Sequence, residues 1–317
     1  MYNGRKIGVV VPAYNEELLI GKVIETMPSF IDKIVVVDDC SKDDTFPIVL
    51  SYAKKDTDRI IPIRHKVNQG VGGAISTGYK WCRDQSMDAT VVMAGDAQMD
   101  PADLPSLLDP VINNEADYSK GNRLISGEAW KSIPRIRYLG NAMLSLLTKI
   151  ASGYWHVADS QTGYTVINLK ALKTLDLDNI YRSYGMPNDM LVKLNIFNFR
   201  VCDVQIKPIY GIGEKSGIKP LRMIPKLSWL MAKFFLYRMV QKYIIRDFHP
   251  LVFFYFTGFS MFLCGLVFGL YLFFYRIFVG AVEATSTIMS VFLFITGMQS
   301  LFFAMWFDMD YNKINHR

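Results

Sequence analysis

Two stretches decide the fold: KIGVVVPAYNEE at residues 6–17 and KIVVVDDCSKDDT at residues 33–45. Each opens on a run of Val and Ile and ends in Asn, Glu or Asp. A short, continuous β-branched run fits a strand buried on both faces, as in a parallel sheet. The acids then lie just past the strand's carboxyl end. The pattern recurs downstream. Strands are expected over Lys6–Pro12, Lys33–Val37, Ile60–Arg64, Ala89–Met93 and Asp117–Lys120. Amphipathic helices are expected over Glu17–Met27, Thr45–Lys55, Gly73–Asp84 and Ala102–Asn113, with Pro101 suiting a helix start. Such alternation predicts an α/β domain with a mostly parallel sheet and helices on both faces.

Ligands bind such sheets at the carboxyl ends of the strands. The residues there are Pro12 to Glu17, Asp38 to Thr45, Asn68 with the turn Gly70-Val-Gly-Gly73, and Gly95-Asp-Ala-Gln-Met-Asp100. Any one of these is an ordinary turn or cap. Together they bring carboxylates and glycines to one edge, which stability alone does not require. Clustered Asp and Gln offer hard oxygen ligands suited to Mg²⁺ or Mn²⁺, and such an ion can neutralise a departing diphosphate. The chain has no G-x-x-x-x-G-K-[ST] loop and no G-x-G-x-x-G after the first strand. That sets aside a P-loop ATPase and a dinucleotide dehydrogenase.

The last quarter of the 317 residues has a different composition. No Asp, Glu, Lys or Arg occurs from Phe248 to Tyr275, nor from Ala284 to Phe307. Both runs exceed the roughly 20 apolar residues that cross a bilayer, so a transmembrane hairpin is expected over 248–317. The net charge of +6 is local: Lys215, Lys219, Arg222, Lys226, Lys233, Arg238, Lys242 and Arg246 stand in a stretch without an acid, and the rest of the chain nets −2. Residues 215–247 read as a basic amphipathic helix region lying at the membrane interface, leaving 1–214 as the catalytic domain. The positive flank is expected on the cytoplasmic side, and a hairpin returns Lys313 and Arg317 to it. A charge confined to this segment points to an anionic membrane surface and away from nucleic acid. The apolar run Ile7–Ala13 is too short for a signal peptide. Four scattered cysteines suit a reducing cytosol.

The strings VVVPAYNEE, VVVDDCSKDDT, NQGVGGA and MAGDAQMDP, in this order, resemble family 2 glycosyltransferases of the GT-A fold. With the hairpin, the chain is most similar to the polyprenyl-phosphate glycosyltransferases of the dolichyl-phosphate mannose or glucose synthase type. The resemblance covers about residues 5–215 by motif. It implies that Pro12, Tyr14 and Glu16 line a nucleotide pocket and that Asp39 receives the base. Asp96 becomes the metal-binding acid, with Gln98 as a further ligand of Mg²⁺ or Mn²⁺. Relatives often read Asp-x-Asp-x-Gln here, whereas this chain has Ala94 in place of the first acid.

On the acceptor side the resemblance implies that Arg123 contacts phosphate. Arg137 is expected to hold the acceptor's phosphate together with Arg123, since a guanidinium suits phosphate oxygens, and Asn141, on the same helical face as Arg137, to assist. Asp159 looks like the family's Asp-x-x-x-Gly segment, and Asp189 stands where many relatives carry a Glu-Asp pair. An acid there deprotonates a hydroxyl acceptor. A phosphomonoester, with a second pKa of about 6, is already ionised and needs no base, so both acids are open to positioning roles. The loop 211–217 is expected to close over the donor diphosphate, with Lys215 or Lys219 on a phosphate.

The expected activity is inverting transfer from a UDP- or GDP-sugar to dolichyl or undecaprenyl phosphate. It is expected of an integral membrane protein whose catalytic domain lies in the cytoplasm, in contact with membrane lipids and without nucleic acid. A homo-oligomer, a glycolipid synthase using a lipid hydroxyl and a non-catalytic membrane scaffold stay open.

Overall fold

The computed structural model describes the backbone of residues 1–124, 135–207 and 220–313, and the side chains of 1–124, 143–207 and 225–313. The chain divides into two compact units, Met1–Phe235 and Leu236–Lys313.

Among the described residues of the first unit, seven strands form one sheet: β1 (Ile7–Ala13), β2 (Lys33–Asp38), β3 (Ile60–Arg64), β4 (Ala89–Val92), β5 (Tyr118–Asn122), β6 (Thr165–Asn168) and β7 (Val201–Gln205). Their spatial order is β3-β2-β1-β4-β6-β5-β7. The five expected strands are present within a residue or two. β6 and β7, which were not among the expected strands, complete the sheet.

Alternation along each strand splits its side chains between two cores. Val9, Val11, Ile34, Val36 and Val91 enter one core, under α1 (Ile20–Glu25), α2 (Thr45–Lys55) and α4 (Leu104–Ile112). Val10, Val35, Val37 and Val92 enter the other, under α3 (Val71–Asp84), α6 (Leu169–Thr174) and α7 (Met186–Ile196). Helix α5 (Arg135–Ser152) leads toward β6.

All strand pairs are parallel except those of β6, which runs antiparallel between β4 and β5. Thr165, the first residue of β6, therefore lies beside Val92 and Lys120 near the carboxyl ends of their strands. The preceding loop, with Asp159 to Tyr164, is delivered to the same edge as the acidic loops after β1, β2 and β4.

Helix α8 (Pro220–Val240) continues through a π-helical turn, Gln241–Arg246, toward two helices of 28 residues, α9 (Leu251–Phe278) and α10 (Ala284–Tyr311). At 1.5 Å per residue each reaches about 42 Å, and their mean hydropathies are 2.1 and 1.8. By length and composition both can cross a membrane. Gly258 and Gly265 of α9 and Ser290, Gly297 and Ala304 of α10 are buried at their contact. Ser290 Oγ donates to the Gly265 carbonyl at 3.0 Å. The large side chains, among them Phe256, Phe259, Phe292 and Phe302, face outward. Small residues inside and apolar ones outside are the pattern of helices that pack within lipid.

Two of the eight basic residues assigned from sequence to an interfacial face are buried instead. Arg238 makes a bidentate pair with Asp308, both contacts at 2.8 Å, and both side chains are fully buried. Tyr243 donates to Asp308 at 2.6 Å and Lys242 to Asn312 at 2.7 Å. The acid that recruits Arg238 lies 70 residues downstream, so local charge counting misplaces it. Lys226, Lys233 and Arg246 remain exposed.

Removing one partner of a buried pair leaves the other charge uncompensated, at about 3–5 kcal/mol. Asp308→Ala is therefore expected to lower the thermal unfolding midpoint of the detergent-solubilised protein clearly, while Asp308→Asn, which keeps an acceptor, has a smaller effect. Equal midpoints for wild type and Asp308→Ala would show that this pair does not hold the second unit together.

Candidate active site

The loops after β1 and β2 are joined by side-chain-to-backbone hydrogen bonds. Asn15, at φ +57°, takes the Lys42 N–H on its side-chain oxygen at 2.9 Å. Its own N–H donates to Ser41 Oγ at 2.9 Å. The Glu16 N–H donates to Thr45 Oγ1 at 2.7 Å. This fixes Pro12 and Glu16, both half-buried, and Tyr14, which is exposed. Burial, and then the charges of Asp96 and Asp43, push the Glu16 carboxyl up to about 7.

Asp96 follows β4 in a tight turn closed by Ala97 at φ +57°. Its Oδ1 accepts the Gln98 N–H at 3.1 Å, and Gln98 is half-buried beside it. At Ala94, where relatives carry an acid, the N–H meets Met99 Sδ at 3.2 Å. Asp100 Oδ1 accepts from Ala102 N at 2.9 Å, capping the helical turn that follows. No group of three His, Cys, Asp or Glu side chains among the described residues forms a metal cage. A Mg²⁺ or Mn²⁺ that takes one or two protein oxygens and completes its shell with diphosphate and water needs none. The mutual repulsion of Glu16 and Asp96 marks a place that favours added positive charge, so Asp96 and Gln98 fit such an ion.

Asp39 is buried, and both its oxygens hold the loop after β3. Oδ1 accepts the Gln69 N–H and Oδ2 the Gly70 N–H, each at 2.8 Å. His65 Nδ1 lies 2.7 Å from Oδ1, and its Nε2 lies 2.9 Å from Thr77 Oγ1. A carboxylate only accepts, so the ring proton facing it sits on Nδ1. Oδ2 keeps one lone pair for a further donor. His65 was not singled out in the sequence. Its signal was position, one residue past the end of β3 on the ligand edge. Asp38, next to Asp39, is buried with Arg64 Nε at 3.1 Å from its Oδ2.

Arg123 and Asp159 meet as the sheet topology requires. Arg123 Nε and Nη2 donate to the two oxygens of Asp159 at 2.8 and 3.2 Å, and the Arg123 N–H adds a third bond at 3.1 Å. Burial alone would raise the Asp159 carboxyl, but the hydrogen bonds and charge of Arg123, with the charge of Lys120, hold it below its ordinary value. Burial lowers the Lys120 ammonium to about 8 despite Asp159 and Asp203. Asp159 is thus an anchor for Arg123 and a poor proton acceptor.

Asp189 lies in the first turn of α7. Its Oδ2 takes the Tyr181 N–H at 2.8 Å and the Lys193 ammonium at 2.6 Å. Burial raises its carboxyl and Lys193 opposes the rise. The structure therefore joins Arg123 to Asp159 and ties Asp189 to Lys193, while the Asp96 charge contributes to the raised Glu16 carboxyl. Lys215 and the side chains of Arg137 and Asn141 lie outside the described residues.

Comparison with known proteins agrees with this architecture. Residues 8–176 match the family model of glycosyl transferase family 2. The UDP-N-acetylglucosamine–dolichyl-phosphate N-acetylglucosaminyltransferase of Methanococcus voltae is 32% identical over 216 residues, covering 64% of this chain and 86% of that protein. The undecaprenyl-phosphate mannosyltransferase of Micrococcus luteus is 28% identical over 207 residues, covering 63% and 82%. A dolichyl-phosphate beta-glucosyltransferase of Trichomonas vaginalis is 26% identical over 261 residues, covering 76% of each. Among solved structures, glucosyl-3-phosphoglycerate synthase of Mycobacterium tuberculosis, in complex with Mn²⁺, UDP and its product, superposes with a TM-score of 0.53. It is 20% identical and covers 74% of this chain and 80% of its own. The fold is GT-A.

If Asp159 anchors Arg123, Asp159→Asn leaves the pH–rate profile unchanged and raises the KM for acceptor more than it lowers kcat. A general base would lose about 10²- to 10⁴-fold in kcat. Steady-state kinetics across pH separate the two, and loss of a pH limb would defeat the anchoring role.

Proposed function

The chain belongs to glycosyl transferase family 2, and from that membership we propose that it transfers a sugar from a UDP- or GDP-sugar to a polyprenyl phosphate at the cytoplasmic face of a membrane. The observation that carries this reading is the agreement among relatives. Three enzymes whose names join sugar transfer to dolichyl or undecaprenyl phosphate align with this chain over 76% to 86% of their own length. The two apolar helices suit an acceptor whose tail stays in lipid while its head meets a soluble donor.

The proposed site has a donor half and an acceptor half. Pro12, Tyr14 and Glu16 line the nucleotide, and the remaining lone pair of Asp39 Oδ2 accepts from the base. Asp96 and Gln98 would hold a Mg²⁺ or Mn²⁺, which supplies charge neutralisation for the departing diphosphate. Arg123, set by Asp159, binds the acceptor phosphate, with Arg137 and Asn141 beside it and Lys215 on the donor phosphates. The phosphate oxygen, already ionised, attacks the anomeric carbon from the face opposite the leaving group and inverts it. Residues 1–214 form the catalytic part, 215–247 the interfacial part and 248–317 the membrane hairpin.

Family membership makes the chain a glycosyltransferase, not the scaffold that Ala94 left open. A glycolipid synthase would need a base, and both candidate acids are occupied by cations: Asp159 by Arg123 and Asp189 by Lys193. The geometry favours an acceptor that brings its own charge.

The test is an assay of purified protein with Mn²⁺ or Mg²⁺, a panel of UDP- and GDP-sugars, and polyprenyl phosphate or diacylglycerol. Metal-dependent transfer to the polyprenyl phosphate is expected. Asp96→Ala should lower kcat at least about a hundredfold, since a metal at developing charge is worth several kcal/mol. Transfer to diacylglycerol alone, or full activity in Asp96→Ala, overturns the acceptor or the metal assignment respectively.

A further inference from the structure

Asp189 is connected to the donor end of the site by an unbroken series of short contacts. Its Oδ2 fixes the Tyr181 N–H at 2.8 Å. Lys193, paired with that same oxygen at 2.6 Å, also donates to the Asn179 carbonyl at 2.5 Å. Segment 179–182 is thereby tied at two backbone atoms to one ion pair on α7. Its far side meets the loop after β3. The Arg182 carbonyl accepts the Gly72 N–H at 3.0 Å. A Cβ on Gly72 would overlap the Tyr181 carbonyl oxygen, and one on Gly70 the Arg182 carbonyl oxygen. Gly70 is at φ +79°, a conformation that favours glycine. The Gly70 N–H and its neighbour, the Gln69 N–H, are the two backbone donors that hold Asp39.

We propose that Asp189 is a positioning residue for the nucleotide end of the site: through Tyr181 and Arg182 it sets the Gly70–Gly72 turn, and that turn sets Asp39. This rests on the reading of Asp39 as the acceptor for the nucleotide base. Every link is backbone packed on backbone or a charge-assisted hydrogen bond, so movement at Asp189 has no loose side chain to absorb it. The arrangement also explains why this acid carries a lysine four residues on. The ammonium neutralises a buried carboxylate that must stay an acceptor, and its second bond ties Asn179 to the same point.

Asp189→Asn preserves shape and keeps one oxygen where Oδ2 accepts both Tyr181 N–H and Lys193, but it removes the negative charge. Both ties weaken, and the Lys193 ammonium is left without its counter-charge. The test uses the full chain in detergent, with UDP and GDP binding measured in the presence of Mn²⁺ and kinetics measured with the nucleotide-sugar that the enzyme accepts. Asp189→Asn is expected to weaken binding of the cognate nucleotide about tenfold. The KM for donor should rise to match, with kcat at saturating donor within about twofold of wild type and an unchanged pH profile. Amide exchange over residues 68–74 should quicken. Lys193→Gln, a milder change at the same anchor, is expected to move the same parameters in the same direction by about threefold. A fall in kcat of a hundredfold or more with unaltered nucleotide binding would overturn the proposal in favour of a base. Asp39→Asn serves as the control. If it weakens nucleotide binding while Asp189→Asn and Lys193→Gln do not, the positioning proposal alone fails. If it leaves nucleotide binding unchanged, the reading of the donor pocket fails and the proposal with it.

Discussion

The insertion of β6 between β4 and β5 is the constraint on which the site depends. A parallel strand in that place would enter from the opposite edge, and its preceding loop would lie far from the ligand side. Because β6 is antiparallel, Thr165 begins beside Val92 and Lys120. The loop carrying Asp159 must then cross the carboxyl edge, where Arg123 leaves β5. Register enforces the meeting: the Gly121 N–H donates to the Tyr164 carbonyl at 2.8 Å, and Lys120 reaches the Thr162 carbonyl at 2.9 Å. The Arg123–Asp159 pair follows from strand direction as much as from its own attraction.

Several acids at this edge are satisfied by different means, and the means separate their roles. Asp39 is held by backbone N–H groups and His65, Asp159 by a guanidinium and Asp189 by an ammonium. Each is thereby an acceptor with a defined direction. Glu16 differs: burial first, and then the like charges of Asp96 and Asp43, raise its carboxyl. Two carboxylates brought together oppose each other's ionisation. A divalent cation would relieve that conflict, which supports the proposed ion site at Asp96 over one at Asp159, where Arg123 and Lys120 already supply positive charge.

The first four strands were legible because each is a β-branched run closed by turn residues, and those of β1, β2 and β4 lead into the ligand-edge acids; β5, YSKGN, was expected without such a run. β6 was missed although its TVIN is as short and as β-branched as the ATVV of β4; what the sequence does not show is its antiparallel place between β4 and β5. The bonds from Asp39 to Gln69 and Gly70 were also invisible, since they join residues 30 and 31 positions apart through loops whose course no local pattern dictates. The two long apolar helices were legible from composition, yet the burial of Arg238 and Lys242 was not. A basic residue on an amphipathic helix gives no local sign that an acid 70 residues away will bury it. Sequence located the elements and the edge, while partners fixed by long-range closure emerged only from the fold.

The chemistry of the acceptor gives these pairings their sense. A hydroxyl nucleophile obliges an enzyme to keep an acid unpaired, near its substrate and able to take a proton, which burial against a cation prevents. A phosphate monoester brings a charged oxygen and asks only to be held. An active site built for it can then use its acceptor-side acids structurally. Asp159, with its carboxyl held low by Arg123, and Asp189, with Lys193 four residues on, are both arranged in that way. Under the proposed function, relief from base chemistry leaves these acids to hold Arg123 and the 179–182 segment in place.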